Sequence, residues 1–293
     1  MISARPDFFI IGAMKCGTTS LAQDIEKYGV GNFPYGKEPQ LLTKHWDNIK
    51  LNDIVDNPDG QDCLIGDASP EYLLPQEDEH ERPIRMKMLN SQARVACILR
   101  DPIARAISHY KHIYEFGNTS EIDMGDYLCR DPLFVEASRY SDRLKPWIDA
   151  IGAESVLVLT LDHYRNDPAN TIYRLSEHVR RPTRIDTYSQ APANTAKDRR
   201  RATPASKALG TLAGSLLGRK VKSSTPVWMK KSLLNVLTKP PRRDWTPASR
   251  QHLLQLAHQL KDENNKLRNL LGPDAPQWDL DQAVNNALEQ LHG

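Results

Sequence analysis

Between Gly12 and Ser20 the chain reads Gly-Ala-Met-Lys-Cys-Gly-Thr-Thr-Ser, a lysine held in a run of small residues and followed by three hydroxyl side chains. Small residues let backbone N–H groups turn toward one spot. A helix opening at Thr18 would add the partial positive charge of its N-terminus, and Lys15 adds a full one. That is chemistry for an anion, phosphate above all. Gly12 and Gly17 keep the glycine spacing of the triphosphate loop G-x-x-x-x-G-K-[ST], but Thr18 stands where that loop carries its lysine. With its lysine moved to position 15, the loop suits a 5′-phosphate or 5′-phosphosulfate better than a Mg²⁺-bound triphosphate.

Two further residues belong to the same chemistry. Arg100 lies at the end of an apolar run, and Ser108 lies two turns into the segment that follows. A guanidinium fork and a hydroxyl so placed can converge on a second phosphate. Cys16 sits inside the first loop, but no base is evident beside it, so its place in an anion site outweighs a role as nucleophile.

These residues need strands and helices to hold them. Phe8 to Ala13 reads as a buried parallel strand and Thr18 to Tyr28 as a helix, followed by an extended piece at Cys63 to Asp67 and a helix around Arg82 to Asn90. Arg94 to Leu99 is the next buried strand, and Pro102 starts a helix reaching about Phe116. Leu144 to Ile151 reads as helix, Ser155 to Leu159 as strand, and Pro168 to Val179 as helix. This alternation predicts an α/β fold, a P-loop-like parallel sheet with helices on both faces. Arg180 to about Pro204 is polar, basic and proline-bearing, hence a loop. Helices are expected near Lys207 to Leu217, Val227 to Leu237 and Thr246 to Leu271, giving a helical C-terminal extension.

The whole chain sets outer bounds. Its 293 residues allow one large domain, read as a core over about 7–201 with a helical part over about 205–293. The net charge of +2 is too small for a nucleic-acid footprint, yet basic residues bunch at Lys197 to Arg201, Arg219 to Lys222 and Lys239 to Arg243, which favours anionic ligands there. No apolar run is long enough to span a membrane, and the first strand begins too early to leave room for a signal peptide, so the expected place is the cytoplasm. Cys16, Cys63, Cys97 and Cys129 lack zinc-type or CxxC spacing and are expected as thiols.

With both anion motifs in order, the chain resembles the sulfotransferases that use 3′-phosphoadenosine 5′-phosphosulfate (PAPS), in particular the heparan-sulfate-type and bacterial members. Gly12 to Leu21 is similar to their 5′-phosphosulfate loop and Ile98 to Tyr110 to their 3′-phosphate motif. Lys37-Glu38-Pro39, Gly66 to Tyr72, and Tyr140 to Trp147 resemble further family segments, as do Leu270 to Asp274 and Trp278 more loosely. The resemblance implies that Lys15, Cys16, Gly17, Thr18, Thr19 and Ser20 hold the 5′-phosphosulfate, and that Arg100 and Ser108 hold the 3′-phosphate. It implies a basic segment closing over the cofactor, here Asn194 to Arg201 with Lys197, Arg200 and Arg201 as candidates. It also implies Lys15 as stabiliser of the leaving group, Glu38 as the base, and no metal; Asp67 and His45 are alternative bases.

Two differences bear on the acceptor. Relatives often carry His-Phe-Phe after Lys-Glu-Pro where this chain has Gln40-Leu41-Leu42, and Ala68 stands where heparan-sulfate enzymes have a lysine. The acceptor is therefore left as a carbohydrate or small molecule bearing a hydroxyl or amine. The region from Lys207 to Thr238 either walls the acceptor site or supports a homodimer. Two other classes compete: a P-loop small-molecule kinase or NTPase, against which the place of Lys15 argues, and a non-enzymatic polyanion binder, against which the near-neutral charge argues.

Overall fold

The apolar run after Asp7 becomes β1 (Phe8–Ile10), shorter than the run itself, and the chain then turns into α1 (Thr18–Lys27). The computed structural model describes residues 4–49, 63–116, 119–183, 185, 188, 189, 201, 202, 238, 239 and 244–292. A short β2 (Gly31–Asn32) and β3 (Leu64–Asp67) follow, then α2 (Arg82–Leu89), β4 (Arg94–Leu99) and α3 (Pro102–Glu115). Next come α4 (Met124–Arg130), α5 (Leu133–Glu136), α6 (Tyr140–Ile151), β5 (Val156–Thr160), α7 (Leu161–Asn166) and α8 (Pro168–His178). Two residue pairs, β6 (Arg201–Ala202) and β7 (Thr238–Lys239), form a separate antiparallel ladder. The chain closes with α9 (Arg250–Gln259), α10 (Glu263–Leu271) and α11 (Leu280–His292).

The main sheet has the order β2-β3-β1-β4-β5, and all its pairs are parallel. Every strand therefore ends at the same edge, and β1 lies between its neighbours β3 and β4, where the anion loop opens. Phe8, Phe9 and Ile10 of β1 and Val95 to Leu99 of β4 are buried, as a sheet covered on both faces requires. Burial of each such large apolar side chain contributes roughly 1.5–3 kcal/mol. Among the described residues no helix is long and apolar enough to cross a membrane, and all four cysteines are free thiols.

The structure corrects the sequence reading in several places. The helix expected over Thr246 to Leu271 is broken at Leu260 to Asp262. Leu253, Leu256 and Leu260 pack into a cluster with α3, α4 and α11, whereas Leu267 enters the main core around the sheet. One straight helix cannot face both. The sequence reading lacks α4, α5 and α7, gives α11 no bounds of its own within the helical part over about 205–293, and starts α6 at Leu144 rather than Tyr140. The first three are too short to show a helical period. α11 does carry a legible start, since Asp279 Oδ1 accepts from Gln282 N at 3.0 Å, and Ala283, Val284 and Ala287 then form a buried stripe. The helices expected near Lys207 to Leu217 and Val227 to Leu237 lie outside the described residues.

Candidate active site

The first site grows out of the end of β1. Ala13 N donates to Ile98 O at 2.9 Å and Ile98 N donates to Gly12 O at 2.7 Å, so the strand's last residues stay zipped to β4 before the loop leaves the sheet. Lys15 then has φ 72° and Gly17 φ 97°, two left-handed turns within three residues. A lysine in that region is a strained choice whose cost the surrounding loop must offset, the kind of outlier that concentrates at functional sites. At Gly17 a Cβ would meet Leu161 Cδ1 at 2.9 Å, so packing as well as φ requires glycine.

Gly17 is the N-cap of α1 and has no side chain to cap with, and the first turn carries no acid. The opening N–H groups of the helix and its dipole are thus directed at the loop. Thr18 is buried, while Lys15, Thr19 and Ser20 are partly accessible. Cys16 behaves differently. Its side chain is fully buried, its N–H donates to Ala13 O at 3.2 Å, and burial pushes the thiol up to about 11. The Cys16 thiol is a core group rather than a nucleophile.

The second site stands at the end of the neighbouring strand. Asp101 Oδ1 accepts from Ile103 N at 2.8 Å and Ala104 N at 3.3 Å, and this N-cap starts α3 immediately after Arg100. Arg100 and Ser108 line one cleft of about 490 Å³, together with Lys111, Arg165 and residues of α11. Burial above all, with the charge of Arg165 adding to it, pulls the pKa of Arg100 below its ordinary value. Burial and the nearby Arg100 do the same to Lys111. Cations crowded in this way are relieved by an anion between them. Lys111 and Arg165 were not singled out from the sequence; Lys111 lies one helical turn beyond Ser108, a spacing that could have revealed it.

Tyr140 ties the two sites together. Its hydroxyl donates to Arg100 O at 2.7 Å, lies 3.8 Å from Cys16 Sγ, and its ring packs against Trp278 with centroids 5.6 Å apart. Arg105 of α3 is wholly buried, donating to Ser138 Oγ at 2.7 Å and Phe134 O at 2.7 Å. Beside it, burial and the Arg105 charge push His109 down to about 3, which keeps it a neutral ring.

The candidate bases differ sharply. Ala68 N donates to Lys37 O at 2.9 Å and Gln40 N donates to Ser69 Oγ at 3.0 Å, which fixes the Lys37–Gln40 turn at the carboxyl end of β3, on the edge that carries the anion loop. Glu38 is exposed there and pairs with Lys37. Asp67 is fully buried and accepts from Ser69 Oγ and Tyr72 OH, each at 2.6 Å, and from Leu41 N at 3.5 Å. Burial raises its pKa to about 6. His45 is exposed at the start of a short 3-10 turn.

Of the basic segment, Lys197 and Arg200 lie outside the described residues, and Arg201 pairs with Lys239 in the small ladder. The chain leading to it is pinned to α1: Tyr188 OH donates to Asp24 Oδ2 at 2.6 Å and Ser189 N donates to Tyr28 OH at 2.9 Å.

A sulfotransferase from Alicyclobacillus acidocaldarius superposes with a TM-score of 0.58 at 18% identity, covering 96% of this chain and 99% of that one, a likeness of fold. A mouse sulfotransferase solved in complex with PAP aligns over 99% of this chain and 84% of its own, with a TM-score of 0.41 and 15% identity. No curated protein sequence matches the chain. The sulfotransferase domain model matches residues 5–224, the stretch that contains the Gly12–Ser20 loop, Arg100, Ser108 and the candidate bases, and the chain belongs to that family.

Proposed function

We propose that the chain transfers a sulfuryl group from PAPS to a hydroxyl or amine of a carbohydrate or small-molecule acceptor. The observation that carries this reading is the pair of cationic sites at the ends of the adjacent strands β1 and β4, one built around Lys15 and the other around Arg100 and Ser108. A nucleotide with phosphates on both its 5′ and 3′ sides matches that pair. Bound PAPS supplies the sulfuryl group, together with a bisphosphate that departs as the acceptor takes over its bond to sulfur.

The residues of the chain do the rest. The N-terminal turn of α1 with Thr18, Thr19 and Ser20 grips the 5′ end, and Arg100 with Ser108 fixes the 3′ end. Lys15 neutralises charge gathering on the departing phosphate oxygen. Glu38 takes the acceptor's proton, and its exposure on the loop edge leaves it open to an incoming acceptor. Asp67 offers a second reading, because its burial and raised pKa suit a base working near neutrality. Sulfation assays of Glu38→Gln and Asp67→Asn separate the two, since only the variant lacking the base loses acceptor deprotonation while still binding the nucleotide.

Calorimetry tests the donor. 3′-Phosphoadenosine 5′-phosphate (PAP) is expected to bind without Mg²⁺, and ATP poorly. Tight Mg²⁺-dependent binding of ATP with no binding of PAP would return the kinase alternative. An acceptor library screened with labelled PAPS then identifies the acceptor.

A further inference from the structure

The cleft that holds Arg100 and Ser108 has a second wall, which comes from the far end of the chain. α11 presents Gln282, Asn286 and Gln290 to it, three amides spaced one helical turn apart on a single face. Opposite stand Arg100, Lys111 and Arg165. A helix serving only to close a cationic cleft would place carboxylates there, since they would pair with the cations. Acids occur on α11 at Asp281 and Glu289, but not on this row. Of the acids around the cleft, Asp101 and Asp279 are engaged in capping α3 and α11, which leaves Asp162 beside Arg165.

Neutral amides donate and accept at once, so they can bond sugar hydroxyls or the edge of a base while leaving the cations for a phosphate. The cleft volume lies within the range of about 300–1,000 Å³ typical of small-molecule sites. Its two walls are held at fixed spacing. Trp278, which lines the cleft, has its backbone clamped by Asn264, with Nδ2 donating to Trp278 O at 2.8 Å and Oδ1 accepting from Trp278 N at 3.1 Å. The Tyr140 ring that packs on Trp278 belongs to the side chain bonded to Arg100 O.

We infer that α11 is part of the donor site: Gln282, Asn286 and Gln290 hold the nucleoside, while Lys111 and Arg165 join Arg100 and Ser108 in holding its 3′-phosphate. This rests on the reading of the chain as a PAPS user.

Calorimetric titration of the full chain with PAP and with 5′-AMP, which lacks the 3′-phosphate, tests it. Asn286→Ala/Gln290→Ala is expected to weaken both nucleotides about tenfold. Lys111→Gln and Arg165→Gln are expected to weaken PAP by a similar factor and leave 5′-AMP unchanged. Circular dichroism melting of each variant checks that it remains folded, and a merely structural role would not divide the two nucleotides in this way. If the wild-type chain binds PAP while the amide and cation variants bind both nucleotides as it does, the inference is overturned and the PAPS reading stands. If the wild-type chain binds no PAP, both fall.

Discussion

The two anion sites are made in opposite ways. The first is nearly contiguous: one strand end, one loop and one helix N-terminus within Gly12 to Ser20, with the uncapped backbone of the helix start facing the loop. The second is assembled from the end of β4, α3, α7 and α11, with side chains drawn from the middle of the sequence and from its C-terminal end. A backbone site depends on φ and on the absence of side chains, so it leaves a pattern of glycine and small residues. A side-chain site depends on which helices meet, and it leaves scattered polar residues that resemble any solvated surface.

That contrast orders the expected effects of mutation. Lys15→Ala removes the one full charge of the contiguous site, the charge proposed to stabilise the leaving group, and turnover in a labelled-PAPS assay should fall on the order of 10²-fold or more. Near-normal turnover would remove Lys15 from the chemistry. Gly17→Ala attacks the same site through its backbone. With φ at 97° and Leu161 in the way of a Cβ, stability should drop by about 1–3 kcal/mol in denaturant titration, with PAP binding lost alongside it. A tolerated alanine would mean that the loop conformation is not what holds the anion.

The assembled site should respond more gently, because its charge is shared. Arg100→Lys keeps the charge but loses the fork, and PAP affinity should fall about tenfold. A loss as large as that of Lys15→Ala would show that Arg100 acts alone and that the crowd of cations does not share the load.

The smallest effect concerns the support beneath the second site. Glu263 of α10 reaches across to the start of α6, where its carboxylate accepts from Ser141 N at 2.6 Å and Ser141 Oγ at 3.0 Å. Burial raises its pKa from 4.5 to about 7. Because the folded form holds the proton more tightly than the unfolded one, this group favours folding most below pH about 4.5, and that contribution is lost as pH rises to about 7. Relative to Glu263→Gln, the wild-type melting temperature should therefore decline across that window and run parallel above it, with little change in PAP binding. A flat difference across the window would place the proton elsewhere.

Legibility followed the same division. β1, α1, β4 and α3 could be read because buried strands are continuous apolar runs, and because Pro102 marks the start of its helix. The break between α9 and α10 could not be read, since no glycine or proline lies there. It exists because Leu260 and Leu267 answer to different cores. Likewise the sequence put Glu38 first as the base and Asp67 behind it as an alternative, with nothing to show how deeply either is buried. Only packing made one an exposed partner of Lys37 and the other a buried acceptor of Ser69, Tyr72 and Leu41.

By itself the sequence determined the local conformations: the strand-to-helix loop with its lysine at position 15, and the arginine at a strand end with the serine two turns into the next helix. These depend on φ, on helical period and on residue type within a few positions, all of which are written in order along the chain. The tertiary structure decided what those pieces face. It set α11 opposite Arg100, turned the Cys16 thiol into the core and buried Asp67, because burial and the nearness of charges follow from which distant segments share a core.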